Sequence, residues 1–351
     1  MVAAEAVVLA LGVGSALALA GVPVAAQVAR RTGFLDQPVG YKKHGRPTPY
    51  LGGSAVLLAF IIAALLLGDG SGHYLPLLLG AATLWVVGTV DDRVNLSPWL
   101  RVGATVAAGL GLWIGGLGWN VFAFGGLDLA LTVLWVLGLV NAFNLMDNLD
   151  GAAASVAAAA SVGIGAFALI DDNVALAALA FGLVGACMGF LRFNLARPAQ
   201  IFLGDGGSMP IGFILAGMAI AAPPVSQLGA GAVLAAALLV GLVILDTTLV
   251  VVSRRRRGVT LLTGGRDHLT HRLLSMVGSP QRVAAALVTV QLSLCAIALS
   301  AAGMGRVALL WIAAGVVIAG IATIAALETR MDRIESAISA RAASLAPAHG
   351  D

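Results

Sequence analysis

The chain has 351 residues, of which 60% are hydrophobic and only 11% charged, and its mean hydropathy is +0.98. Soluble domains carry about 25% charged residues, and a core of this length cannot hide so much apolar surface, so a soluble globular protein is excluded and lipid must be the solvent for much of the chain. The net charge of +3 fits loops that face anionic headgroups; basic patches interleaved with aromatics are absent, which argues against a nucleic-acid partner.

The apolar runs are continuous and do not alternate, so the predicted class is all-α and polytopic, with no strands. Runs of about 20 apolar residues give eleven predicted spans, at 3–29, 50–68, 74–90, 99–117, 127–143, 151–170, 174–194, 208–222, 227–252, 281–303 and 306–327. The first lacks a basic leader and extends to Val28, and it reads as a retained helix rather than a signal peptide. Residues 1–327 are expected to form one membrane-embedded domain, and 328–351 a polar tail. With the N-terminus outside, every Lys and Arg except Arg306 falls on inner segments or the tail, which is the expected positive-inside bias and puts the C-terminus in the cytoplasm. Cys187 and Cys295 lie in apolar runs without CxxC or zinc spacing, and read as small buried hydrophobes.

The outer connections are short and chemically plain. The inner ones hold five polar segments: "LDQPVGYKKHGRPTPYLGG" (35–53), "DDRVNLSP" (91–98), "NAFNLMDNLDG" (141–151), "FLGDGGS" (202–208) and "RRRRGVTLLTGGRDHLTHRLL" (254–274). Asp91 and Asp92 adjoin at the end of an apolar run, where two like charges need a compensating cation. Asn141, Asn144, Asp147 and Asp150 recur every three residues, a spacing that makes adjacent members neighbours on a helix and that a tightened turn would align. A helix ending in Asn and Asp before Gly151 is the structural alternative; four polar residues at the end of one buried span favour function. In "FLGDGGS", glycines flank Asp205 and Ser208 stands where it could cap the next helix, a weak anion-site signal beside the alternative of a solvent-exposed turn. Asp246, in "VILDTTLVVV", is predicted either to face the site or to pair with an arginine. The "RRRR" run at 254–257 reads as a positive-inside stop signal. Five inward carboxylates, Asp91, Asp92, Asp147, Asp150 and Asp205, suit a hard divalent cation, and neighbouring basic groups suit a polyphosphate. His268 and His271 lack a zinc pattern and read as phosphate or sugar contacts.

Five pieces in order, "KKHGRPTPYLGG", "VDDRVNLSPWLRV", "NAFNLMDNLDGAAA", "FLGDGGSMPIGF" and "GGRDHLTHRLL", resemble the polyprenyl-phosphate N-acetylhexosamine-1-phosphate transferases. The resemblance implies that sugar-1-phosphate, most simply GlcNAc-1-phosphate, passes from a UDP-N-acetylhexosamine to a polyprenyl phosphate in the bilayer, releasing UMP, at the cytoplasmic face of a bacterial plasma membrane. It implies Mg²⁺, or Mn²⁺, as cofactor and admits a homodimer. It assigns Asp205, with Asp91, to the metal. Asp91, Asp92, Asp147 and Asp150 form its catalytic group, with Asp91 positioning the acceptor phosphate. Lys42, Lys43, His44, Asn141, Asn144, His268, His271 and Arg272 are its substrate contacts. Many relatives read H-x-H-H-R where this chain has Thr270 in place of one His, which bears on the choice of sugar. The alternatives are the same chemistry on a muramoyl-pentapeptide donor, or a transporter. A transporter would place charges near the bilayer midplane and show paired repeats; here the carboxylates gather at one face.

Overall fold

A computed structural model of the chain describes residues 3–36, 47–67, 72–260, 265 and 267–345. Lys42, Lys43 and His44 lie outside the described residues. Fourteen helices occur among them. α1 spans Ala3–Thr32, α2 Gly52–Leu67, α3 Leu75–Val94, α4 Pro98–Ile114, α5 Gly125–Met146, α6 Ala152–Ile170 and α7 Val174–Asn194. α8 spans Asp205–Ala221, α9 Val225–Leu228, α10 Gly231–Leu239, α11 Gly241–Arg256, α12 Leu269–Val277, α13 Pro280–Gly303 and α14 Arg306–Leu345. One small ladder departs from the all-helical expectation: β1, Leu35–Asp36, pairs antiparallel with β2, Thr48–Pro49.

All eleven apolar runs are helical, but their lengths do not confirm eleven spans. Among the described residues seven helices are long and apolar enough to cross a membrane, or eight if one bent pair counts as a span. The runs predicted at 50–68 and 208–222 form helices of only 16 and 17 residues, and at 1.5 Å per residue these reach about 24–26 Å, short of a ~30 Å hydrocarbon core. α4 also has 17 residues. The run 227–252 does not cross straight; α10 and α11 meet at 83°. The break falls at Val240, whose φ of −126° leaves the helix, and Gln291 of α13 compensates it. Its Oε1 accepts from the Leu242 N–H at 3.1 Å, and its Nε2 donates to Leu239 O at 2.8 Å. A kink needs such an inserted partner to satisfy the freed backbone groups, and Gln291 lies 50 residues downstream in sequence, where no periodicity would reveal it.

α6 and α7 are the inner helices, with 72% of their apolar windows buried against 17% for α14. α14 runs without interruption from its apolar part into the polar stretch that begins at Glu328. Two close approaches fix how α2, α3 and α8 meet. A Cβ on Gly53 would fall 2.2 Å from Gly207 Cα, and one on Gly88 would fall 2.3 Å from Asp205 O, so side-chain-free backbone is required at both crossings. The segment leading into α8 lies along the start of α2: Phe202 N donates to Pro49 O, Gly52 N to Phe202 O and Gly53 N to Leu203 O. These bonds hold Asp205 against the end of α3.

Candidate active site

The centre of the site is the start of α8. Gly204 precedes it with φ 75°, a conformation that glycine adopts without cost. The helix is capped by another helix's side chain: Asp92 Oδ1 accepts from Asp205 N at 2.9 Å and Oδ2 from Gly206 N at 3.1 Å. A carboxylate at a helix N-terminus satisfies orphan donors and complements the dipole. Ser208, the predicted cap, lies inside α8 instead, and its Oγ is 3.1 Å from Asn144 Nδ2. The Tyr50 hydroxyl donates to the Asp92 carbonyl; burial, reinforced by the Asp92 charge, raises its pKa and keeps it a donor.

Asp91 points away from its neighbour. Its Oδ1 accepts from Leu96 N at 2.6 Å and its Oδ2 from Arg101 Nη1 at 2.8 Å, and the residue is 6% exposed. Arg101 also lies 3.3 Å from Asp205 Oδ2, so one guanidinium joins both predicted metal ligands. Nothing in the motif reading singled out Arg101. A signal was present: Ser97-Pro98 is a helix-start signature, Ser97 does accept from Leu100 N, and this places Arg101 in the first turn of α4, beside the end of α3.

The third contributor is the end of α5. Asn144 Nδ2 donates to Asp205 Oδ1 at 2.7 Å. Asn141 turns away, exposed, its Nδ2 donating to Leu137 O of its own helix. The helix ends at Met146 and Asp147 is its C-cap, so the predicted row of four is split by a helix end. Asp147 is half-buried. Burial, and then the charges of Asp205, Asp92 and Asp150, raise its carboxyl well above the usual range, while hydrogen bonding from the Gly204 backbone pulls the other way. The turn that carries Asp147 and Asp150 is pinned behind: Gly151, at φ 79°, donates its N–H to Asn194 Oδ1 at 2.6 Å, and Asn194 donates onward to Ile201 O.

The histidine segment is held from α11. Asp246 is fully buried; among the described residues it meets no arginine but accepts from His268 Nδ1 at 2.9 Å and from Leu269 N at 2.7 Å. Assigning the proton to Nδ1, where the carboxylate requires it, leaves Nε2 as the acceptor. Thr270 donates to Asn148 Oδ1, in the turn between Asp147 and Asp150. His271 lies in the first turn of α12, partly exposed. Arg272 turns away from the carboxylates. Its Nη2 donates to Glu328 Oε1 at 2.6 Å and to Ser253 Oγ at 3.1 Å, and its Nε donates to Asp267 O. The "RRRR" run does more than mark a membrane side: Arg254 makes a buried ion pair with Asp267 at 2.7 Å, and Arg257 adds a contact at 3.4 Å. Burial pushes Asp267 up, but Arg254 outweighs it and holds the carboxyl below its ordinary value.

Asp92, Asp147, Asp150 and Asp205 therefore crowd together, with Asn144 and Arg101 bonded to Asp205. An oxygen-only donor set with excess negative charge fits a hard divalent cation. No group of three or more His, Cys, Asp or Glu side chains forms a ready metal cage among the described residues, and Mg²⁺ characteristically takes one or two carboxylates and completes its shell with water and phosphate.

A helical, multi-pass membrane protein with clustered acids at one end of its bundle is the class that fold and site define. Residues 74–222, from just before α3 to just past α8, match the family described as Glycosyl transferase family 4. The chain is 34% identical over 293 residues to the decaprenyl-phosphate N-acetylglucosaminephosphotransferase of Mycolicibacterium smegmatis, covering 73% of this chain and 72% of that one. It is 28% identical over 269 residues to a probable undecaprenyl-phosphate N-acetylglucosaminyl 1-phosphate transferase of Bacillus subtilis, covering 72% and 73%. It is 26% identical over 295 residues to the undecaprenyl-phosphate alpha-N-acetylglucosaminyl 1-phosphate transferase of Escherichia coli K12, covering 78% and 77%. The chain belongs to glycosyl transferase family 4, as its five polar segments led one to expect.

Proposed function

We propose that this protein transfers GlcNAc-1-phosphate from UDP-GlcNAc to a polyprenyl phosphate, undecaprenyl or decaprenyl, at the cytoplasmic face of a bacterial plasma membrane. The observation that carries the reading is the meeting of Asp92, Asn144, Asp147 and Asp205 at one end of a membrane bundle, in a chain whose relatives are named for this reaction. Under the eleven-span reading of the sequence every Lys and Arg except Arg306 falls on one side, and this bias supports the cytoplasmic assignment, because a nucleotide sugar is found there and the lipid acceptor reaches the same plane.

An oxygen of the acceptor phosphate attacks the phosphorus that carries the sugar; the bond to the UMP oxygen breaks, and UMP leaves. The acceptor has a second pKa near ~6, so it is largely ionised and needs orientation more than proton removal. Direct attack is therefore favoured over an aspartyl intermediate. Asp205 and Asp147 would hold Mg²⁺, which would supply charge neutralisation on the diphosphate. Asn144 orients Asp205, Asp92 fixes the start of α8, and Asp91 holds Arg101 where it can meet phosphate oxygens. His268 and His271 face the donor sugar or diphosphate. Asp150 completes the acid cluster, and the roles of Lys42, Lys43 and His44 as substrate contacts rest on the sequence resemblance alone.

The test is UMP release by purified protein in detergent with UDP-GlcNAc, undecaprenyl phosphate and Mg²⁺. Release should need both lipid and metal, and Asp205→Asn should lower it by roughly 10²-fold or more. Release with a different UDP-sugar alone would keep the chemistry and change the donor. No release with any UDP-sugar, from folded protein, would overturn the reading and return the transporter to consideration.

A further inference from the structure

α14 is the most lipid-facing of the long helices, with 17% of its apolar window buried, yet it carries Glu328, which is 4% exposed. Glu328 stands where the polar stretch of the helix begins, and a carboxylate buried this far is costly unless it is paired. Glu328 Oε1 accepts from Arg272 Nη2 at 2.6 Å, and Oε2 lies 3.4 Å from Arg256 Nη1. Arg272 is itself 6% exposed, and its Nη1 has no partner among the described residues, so its burial depends on Glu328 and Ser253. From Arg272 the connection continues by bonded steps. Nε donates to Asp267 O at the start of the histidine segment; Asp246 fixes His268 and Leu269; Thr270 donates to Asn148, between Asp147 and Asp150.

We infer that Glu328 is a positioning residue for the donor site: through Arg272 it holds segment 267–272 against the turn that carries Asp147 and Asp150. This rests on the transferase reading for its kinetic consequence but not for its structural one. Glu328 acts through Arg272, whose described hydrogen bonds go to Glu328, Ser253 and Asp267, and it lies outside the stretch matched by the family, residues 74–222. Among the described residues the network ends at Asn148, in the turn between Asp147 and Asp150, and does not include Asp91 of α3, the residue assigned to the acceptor phosphate, so its loss should be felt by the nucleotide sugar more than by the lipid.

Two measurements on the full-length protein decide this. In steady-state UMP release, Glu328→Ala should raise KM for UDP-GlcNAc by about 10-fold and leave KM for undecaprenyl phosphate within about 2-fold. Glu328→Gln, which keeps an acceptor and loses the charge, should fall between. In amide hydrogen exchange, residues 269–274 should exchange about 10-fold faster in Glu328→Ala, with Asp332→Ala, which removes only the exposed partner of Arg256, at the wild-type rate. An unchanged donor KM in folded Glu328→Ala, or equal rises in both KM values, would overturn the positioning role; unchanged exchange at 269–274 would overturn the latch itself. If the wild-type protein releases no UMP, the transferase reading fails, and the exchange measurement alone decides whether Glu328 holds the segment.

Discussion

Asp147, a residue of the proposed donor site, sits there at a cost to the fold. Its carboxyl is raised by burial first and by Asp205, Asp92 and Asp150 after it. A raised carboxyl in the folded state means that the folded protein holds the proton more tightly than the unfolded chain. Below the unfolded value of ~3.9 there is no penalty. As pH rises from there to the folded value, stability is lost, and above it the loss is complete. Asp147→Asn keeps the shape and removes the charge, so its unfolding midpoint in detergent should exceed the wild type by roughly 2–4 °C at pH 8, and the gap should close as the pH approaches 4. An equal gap at both ends of that range would mean that the carboxyl is not strained by its neighbours. Sequence spacing found Asp147 and Asn144, because both sit where a single helix ends. It could not tell that Asn141 would turn to its own helix, since one residue more along α5 changes the face. Nor could it give Arg101 its place, because the bond to Asp205 joins residues 104 apart.

At the scale of elements, the contact between α3 and α8 governs the site. Gly88 leaves no room for a methyl group, which would meet Asp205 O at 2.3 Å, whereas Gly103 of α4 has nothing within 4 Å of a Cβ. Gly88→Ala must push α8 away from α3, loosening the Asp92 bonds to Asp205 and Gly206. UMP release should fall by roughly 10²-fold, the loss expected when a catalytic group is misplaced by about 1 Å. Gly103→Ala should keep wild-type rates and gain a little helix stability. Similar activity in the two variants would show that this crossing does not set the position of Asp205. Helices were easy to read from apolar runs, and all eleven runs are helical. The number that cross was not, because length decides it: α2, at 16 residues, reads as a span only when flanking residues are counted with it, and the run at 208–222, within the 17-residue α8 but for its last residue, is itself short for a span. The 83° break between α10 and α11 has no proline to announce it and rests on Gln291 from another helix.

At the scale of the whole molecule, the polar segments gather at one end. α3, α5 and α11 bring their C-termini there, and α8 brings its N-terminus. Both cysteines are buried, at 0% and 2% exposure, so the natural chain should be silent to membrane-impermeant thiol reagents. That makes sidedness directly measurable. Arg255→Cys and Asn120→Cys place single thiols at exposed positions at opposite ends of the bundle. In inverted vesicles Arg255→Cys should label and Asn120→Cys should not, with the reverse in right-side-out vesicles. Labelling of both from one side would contradict the topology.

The cap on α8 has a consequence for what the protein ignores. A helix that begins after a glycine-rich turn would ordinarily trap any small anion, but here Asp92 already fills its first two N–H groups. Free inorganic phosphate, abundant in any cytosol, finds a carboxylate where other glycine-rich turns offer bare amides. The same side chain that steadies Asp205 thus closes these two amides to a phosphate, so a phosphate group arriving at the start of α8 must be met by other donors, such as the Arg101 guanidinium beside Asp205.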